Sequence, residues 1–360
     1  MKWGDCLILL SLHDETQNII CAKIAYTEYM LTKVLKKING ISYSAEITVL
    51  EDLGFANNIM RMQGGFFTGI NVKWDTDVPF VPVDTTVNSC GVSIFKFDGI
   101  FDFDEFKRRM THLDKQLKDI GIINNFNRGN HFISICVDAN GSHYLVLHAS
   151  DNKYKYGEEG LYPRSDSWYY DRIKTETFPK GYIRYIKGDV AEKFYHLYLE
   201  SEKSNPLRNK TVAEIVLKDC SNVEEILYSP HYGMPNNSSV SIGSQWRKSP
   251  SVLLTYEGAP IFIVTDFNPR VDFMPHGFGL TLKGNCRSVG FINQCLTIND
   301  IEFNGKEGLM EYGVTKTRNS GDTITSDIIN KFMPSRSIKV INELKQMYSY
   351  TRNGVRNFMN

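Results

Sequence analysis

Apolar and polar positions along the chain change period several times. Residues 22–38 carry Ile24, Ala25, Tyr29, Leu31, Leu35 and Ile38 at helical spacing, which predicts an amphipathic helix. Residues 103–120 predict a second helix. Phe106, Met110, Leu113, Leu117 and Ile120 form one stripe, and Asp102 or Asp104 stands where a cap belongs. Helical spacing returns over 190–203, 209–220 and 338–348, the last with Val340, Ile341, Leu344 and Met347 inward. Short helical pieces are predicted at 298–302 and 324–332. Strand-like runs occupy 6–12, 47–50, 79–97 around a polar interruption, and 253–264 around Glu257-Gly258-Ala259-Pro260. The strongest local signal is a hairpin. Residues 132–137 and 144–147 are β-prone runs, separated by Ala139-Asn140-Gly141 with its Asx-Gly turn chemistry. Residues 151–187 have no clean period and predict a looped excursion without a core of its own. Residues 227–243 are turn-rich, and 273–283 glycine-rich and irregular.

Helices and strands are mixed without a βαβ rhythm, which predicts an α+β fold: one compact domain over 1–360, with mixed or antiparallel sheets around a cleft and helices at the flanks. A motif-bearing core at about 46–283 and a helical and looped portion at 284–360 are expected.

Composition narrows this only slightly. A chain of 360 residues with 42% hydrophobic content has enough material for a large core. Formal net charge is zero, so any nucleic-acid partner needs a local basic patch. The seven cysteines are widely spaced and form no Cys-x-x-Cys, which predicts a reducing compartment, most simply the cytoplasm. No apolar run of about 18 residues occurs, so no membrane partner is expected.

Candidate chemistry gathers on histidine. His131 opens the first hairpin strand and His148 closes the second, so an antiparallel pairing brings both to one rim. That suits a metal site, although two histidines at the ends of an ordinary hairpin would look the same. His231 in Ser-Pro-His-Tyr-Gly and His276 in Met-Pro-His-Gly-Phe-Gly stand on bends, where a ring faces a cavity more readily than a core. His112 and His196 lie in helical stretches, and His143 is expected at the surface.

In order, the chain carries Asn88-Ser89-Cys90-Gly91-Val92, Arg128-Gly129-Asn130-His131-Phe132, Val146-Leu147-His148-Ala149-Ser150, Pro230-His231-Tyr232, Trp246-Arg247-Lys248-Ser249 and Pro275-His276-Gly277-Phe278-Gly279. This series resembles the RtcB family of RNA-splicing ligases. The resemblance runs from about Asp52 to Gly279. It implies two manganese ions held by Cys90, His131, His148 and His231, and GTP as the second cofactor. It implies His276 as the nucleophile that becomes guanylylated, with Asp52 orienting it. Asn130, Gly277, Gly279, Arg247 and Lys248 would contact nucleotide or RNA phosphate. The implied reaction joins an RNA 3′-phosphate or 2′,3′-cyclic phosphate to a 5′-hydroxyl, in RNA repair or tRNA splicing, with an accessory protein as a further partner.

The chain departs from the family at four points. Val87 stands where the family carries an aspartate ligand, with Asp84 nearby. Ser134 replaces a guanine-binding glutamate, and Leu280 replaces an arginine. The C-terminal lysine is missing from Arg356-Asn357-Phe358-Met359-Asn360. A divergent active ligase, such as a virus carries into a host cytoplasm, is the leading expectation. The alternatives are a ligase with altered nucleotide choice and a catalytically impaired protein that binds RNA or metal.

Overall fold

The structure is a computed structural model that describes residues 8–9, 15–99, 101–246, 250–266, 272–292, 295–303, 308–317 and 338–359. Two large sheets dominate it. The first has five strands in the order Ile8–Leu9, Ala45–Gly54, Thr68–Trp74, Ser239–Ile242 and Tyr232–Asn236. Only its first pair is parallel. The second sheet is antiparallel throughout. Its path runs Ser221–Pro230, Gly91–Asp98, His143–Ala149, Phe132–Val137, Ile338–Thr351, Ile261–Asp266 and Ser251–Leu253, and Gly354–Asn357 also pairs with Ile338–Thr351. The architecture is α+β, as expected.

Three long helices cover these sheets. Glu15–Asn39 packs Ile20, Ile24, Leu31 and Leu35 into the core beneath the five-stranded sheet. Phe103–Asp119 is capped by Asp102, whose carboxylate accepts the Glu105 N–H at 2.8 Å. It buries Phe106, Met110, Leu113 and Leu117 against the larger sheet, while Ile120 at its end is exposed. The two helices predicted at 190–203 and 209–220 are one, Asp189–Val216, which runs through Pro206. A proline removes one N–H from the ladder. Buried residues on both sides of it, Phe194 and Tyr198 before and Val212 and Ala213 after, hold the helix to both cores.

The predicted hairpin is present as Phe132–Val137 and His143–Ala149, in register from Phe132 opposite His148 to Val137 opposite His143. Its turn is wider than two residues. The Asp138 carboxylate accepts the N–H groups of Asn140 and Ser142, each at 2.9 Å, and Gly141 takes φ +79°. His143 is half-buried and stacks on Phe97 rather than standing free at the surface.

The largest departure is at the C-terminal end. Residues 338–348 are not a helix but most of the strand Ile338–Thr351, which lies inside the larger sheet. Leu344 and Met347 are buried, but in cores on opposite faces, because the second half of this strand is covered on both sides. Val340 and Ile341 are 37% and 53% exposed. A two-sided strand has no alternation, so its apolar residues fall on helical spacing by coincidence. The piece at 298–302 is likewise a hairpin turn. Asn299 and Asp300, at φ +50° and +66°, join the strands Cys295–Ile298 and Ile301–Phe303. The piece predicted at 324–332 lies outside the described residues. The described parts of 284–360 are mainly strands rather than helices and loops, and one of these strands lies within the larger sheet.

The excursion at 151–187 has no core of its own, as expected. Leu161, Tyr169, Ile183 and Ile186 join the main core. It also contains a strand pair, Lys174–Phe178 with Gly181–Lys187, that its sequence does not announce. From this pair, Arg184 reaches the buried Asp84, whose carboxylate oxygens each accept from the guanidinium Nε at 3.1 Å. Replacing Asp84 with alanine should lower stability by about 2–3 kcal/mol, below the range for a fully buried pair because Arg184 stays partly hydrated. Urea unfolding checks this, and a loss near zero would remove the ion pair from the account of this region.

Candidate active site

The site forms where the two large sheets meet. Strand Ser221–Pro230 belongs to the larger sheet and Tyr232–Asn236 to the smaller, with His231 the one residue between them. The Cys90 carbonyl accepts the N–H of His231 at 3.0 Å and that of Tyr232 at 3.3 Å. Cys90 itself precedes strand Gly91–Asp98, whose first residue pairs with Ala149 on one side and Pro230 on the other. The register places His148 opposite Val92 and Phe132, two residues from Cys90 and one from His131. Sheet pairing alone thus gathers four side chains from four places in the sequence.

The loop before Cys90 is held from two directions. Arg61 donates from Nε to the Thr85 carbonyl and the Thr86 hydroxyl, each at 2.9 Å, and from its terminal nitrogen to the Thr86 carbonyl at 2.8 Å. Asn205, on the long helix, donates to the carbonyls of Ser89 and Ala149 at 3.0 and 3.1 Å. Thr86 and Ser89 sit at φ +44° and +52°, a conformation that non-glycine residues keep only when their surroundings impose it.

Cys90 Sγ lies 3.2 Å from His148 Nε2 and 3.6 Å from His131 Nε2, and His148 Nε2 lies 3.1 Å from His231 Nε2. All four residues are buried. His131 Nδ1 donates to the Asn125 carbonyl and His148 Nδ1 to the Asn130 carbonyl, each at 3.0 Å, and the His231 ring is held by the Ser229 main chain. A carbonyl only accepts, so Nδ1 carries the proton and each Nε2 presents a lone pair. Burial lowers the pKa of all three imidazoles, that of His148 to about 3, and pushes the Cys90 thiol up to about 12. Lone pairs 3.1 Å apart repel unless a cation lies between them. Cys90, His148 and His231 offer their ligand atoms within 4.8 Å of one another, and they fit a divalent metal. This is the one such group among the described residues.

His276 stands beside this group, its ring 5.0 Å from that of His231. Asp52, buried on strand Ala45–Gly54, accepts three hydrogen bonds at Oδ2: from His276 Nδ1 at 2.6 Å, and from the His276 and Gly277 N–H groups at 3.1 Å each. His276 Nε2 is buried and has no hydrogen-bond partner among the described residues. The sharp bend after His276 needs glycine. Gly277 has φ +92°, and a Cβ there would stand 2.2 Å from the Leu254 carbonyl oxygen. Gly279 is buried, and Leu280 belongs to the core rather than to the site.

A cavity of about 320 Å³ opens on the cluster. Cys90, His131 and Asn130 line it, as do Tyr232 and Phe278, whose rings flank His276 at 6.0 and 6.3 Å. Arg61, Arg128, Lys155 and Arg164 also line it, and among the described residues no carboxylate does. In a chain of zero net charge this is a marked local excess of positive charge. A second cavity of about 260 Å³ shares His131, Asn130 and Phe278, and includes Tyr256, Glu257 and Gln346.

The expected residues Cys90, His131, His148, His231, His276, Asp52, Asn130 and Gly277 are brought together. Arg247 and Lys248 lie outside the described residues. Asp84 is held by Arg184 and is not a ligand here, and Val87 is a core residue. Arg61, Arg164 and Lys155 went unforeseen, because single basic residues in aperiodic segments carry no signal. No protein-family model matches the chain, and no curated protein matches it. Among the described residues, no helix is long and apolar enough to cross a membrane.

Two outcomes follow from the geometry. Cys90→Ala and His148→Ala should each weaken binding of a divalent ion by at least about tenfold, while His276→Ala leaves it within about twofold. Calorimetric titration checks this, and equal affinities in all three would remove the metal centre. Gly277→Ala should destabilise the protein by about 1–3 kcal/mol through the clash with Leu254, read as a lowered melting temperature.

Proposed function

We propose that this chain is a divergent member of the RtcB family, a metal-dependent RNA ligase that works through a nucleotidylated His276. The observation that carries the reading is the buried Asp52–His276 pair. It leaves Nε2 unpartnered beside a three-donor metal group and next to a cavity lined by four cations.

The residues divide the work. Asp52 holds the proton on Nδ1 and fixes the ring, so that Nε2 presents its lone pair. Nε2 attacks the α-phosphorus of GTP. The N–P bond forms, the bond to pyrophosphate breaks, and pyrophosphate leaves with the electron pair. The imidazolium that develops is stabilised by the Asp52 carboxylate. An oxygen of an RNA 3′-phosphate then attacks the same phosphorus, and the N–P bond breaks to restore His276. Finally a 5′-hydroxyl attacks the activated 3′-phosphate, gives up its proton, and GMP leaves. A 2′,3′-cyclic phosphate is first opened to the 3′-phosphate. Manganese bound by Cys90, His148 and His231 would draw charge from phosphate oxygens. Arg61, Arg128, Lys155 and Arg164 supply positive charge for the RNA backbone.

Nucleotide choice is the point on which the chain differs most from the resemblance. Ser134 is buried and its hydroxyl is hydrogen-bonded with Gln346 Oε1 at 3.2 Å and with Ser349 Oγ at 3.1 Å. Glu257 is the carboxylate that lines the second cavity, where it pairs with Arg356 at 3.5 Å and accepts from Thr351 at 3.3 Å.

Incubation with Mn²⁺ and α-³²P-labelled GTP or ATP, followed by a denaturing gel, tests the covalent step. Label is expected on the wild type and is absent from His276→Ala. Asp52→Asn should slow labelling by about 10²-fold or more, since the ring loses its orienting charge. Absence of label with both nucleotides overturns the ligase reading.

A further inference from the structure

The metal donors are unevenly distributed. Cys90, His148 and His231 converge as one group, while His131 stands outside it, with Nε2 3.6 Å from Cys90 Sγ and its ring 5.3 Å from that of His148. An ion on the His131 side would share the Cys90 thiolate and have one further histidine donor and no carboxylate among the described residues. Carboxylates are the usual ligands that complete such a shell for a hard divalent ion. No carboxylate among the described residues lines the cavity, Asp84 is engaged by Arg184, Glu257 of the second cavity pairs with Arg356 and accepts from Thr351, and Val87 is apolar. Placing a second dication there would add unneutralised charge to a buried site already faced by four cationic side chains.

Lys155 occupies that side instead. It lines the same cavity as Cys90 and His131, is half-buried, and forms no ion pair among the described residues. Its backbone is fixed, with its N–H donating to the Asn152 carbonyl at 3.2 Å and its carbonyl accepting from Tyr162 at 3.2 Å. An unpaired ammonium in a cavity without carboxylates is completed by an anionic ligand.

We propose that the centre takes a single divalent ion, held by Cys90, His148 and His231, and that Lys155 supplies the second positive charge to a bound phosphate group. This rests on the metal centre described above. Lys155 is thus a phosphate-binding residue of this chain, and His131 a polar neighbour of Cys90 rather than the anchor of a second ion.

The test uses the full chain saturated with Mn²⁺ and freed of excess. Its metal content is then measured by plasma mass spectrometry. One ion per chain is expected. Two ions per chain would overturn this inference and leave the metal centre standing, whereas none would overturn both. Binding of inorganic pyrophosphate to the Mn²⁺-loaded protein, measured by calorimetry, tests the lysine. Lys155→Met should weaken it by about tenfold or more and Lys155→Arg by much less, with metal content unchanged in both. Unchanged pyrophosphate affinity in a folded Lys155→Met protein, or an equal loss in both variants, would overturn the role given to Lys155.

Discussion

The paired hydrogen bonds from His231 and Tyr232 to the Cys90 carbonyl are the contact on which the site depends. They hold a chain that leaves one sheet and enters the other within a single residue. Cys90 and His231 are therefore set by backbone geometry before any side-chain preference acts. The larger sheet contributes His148 by register, and the smaller contributes Asp52 from its second strand. A displacement of one sheet against the other would separate His276 and Asp52 from the metal donors, so the packing of the sheets and the chemistry of the site are one constraint.

The burial of this cluster is what gives it reactive potential and what makes it demanding to build. Three imidazoles and a thiol out of water would ordinarily find partners among themselves. Here the carbonyls of Asn125 and Asn130 take the Nδ1 protons of His131 and His148, so their Nε2 atoms have no proton left to share. The same device operates one step away, where Asp52 takes the Nδ1 proton of His276. Orientation by a hydrogen bond at the far nitrogen thus serves both halves of the site. The outer ring of Arg61 and Asn205 fixes the Cys90 loop in a backbone shape it would not adopt alone.

What could be read from the sequence was whatever depends on local order. The hairpin was legible because Asn140-Gly141 and two β-prone runs lie within one short stretch. The helix at Phe103–Asp119 was legible because its stripe and cap are adjacent. His131, His148, His231, His276 and Asp52 were found through short motifs in a fixed order, not through any pattern of burial. The strand Ile338–Thr351 was misread because its first half is largely exposed and its second half covered on both faces, which erases the alternation that marks a strand. Lys155 and Arg61 were missed because their meaning comes only from which cavity they face.

That same strand has a bearing on how the protein is made. Ile338–Thr351 pairs directly with Phe132–Val137, the strand that follows His131, yet it is encoded roughly 200 residues later. During synthesis the hairpin emerges early, with one edge of its ladder open and rich in Ile133, Ile135 and Val137. An open apolar edge of this kind is a template for pairing with other nascent chains. Completion of the sheet that carries His131 and His148 therefore waits on a segment made about 200 residues after the hairpin it protects.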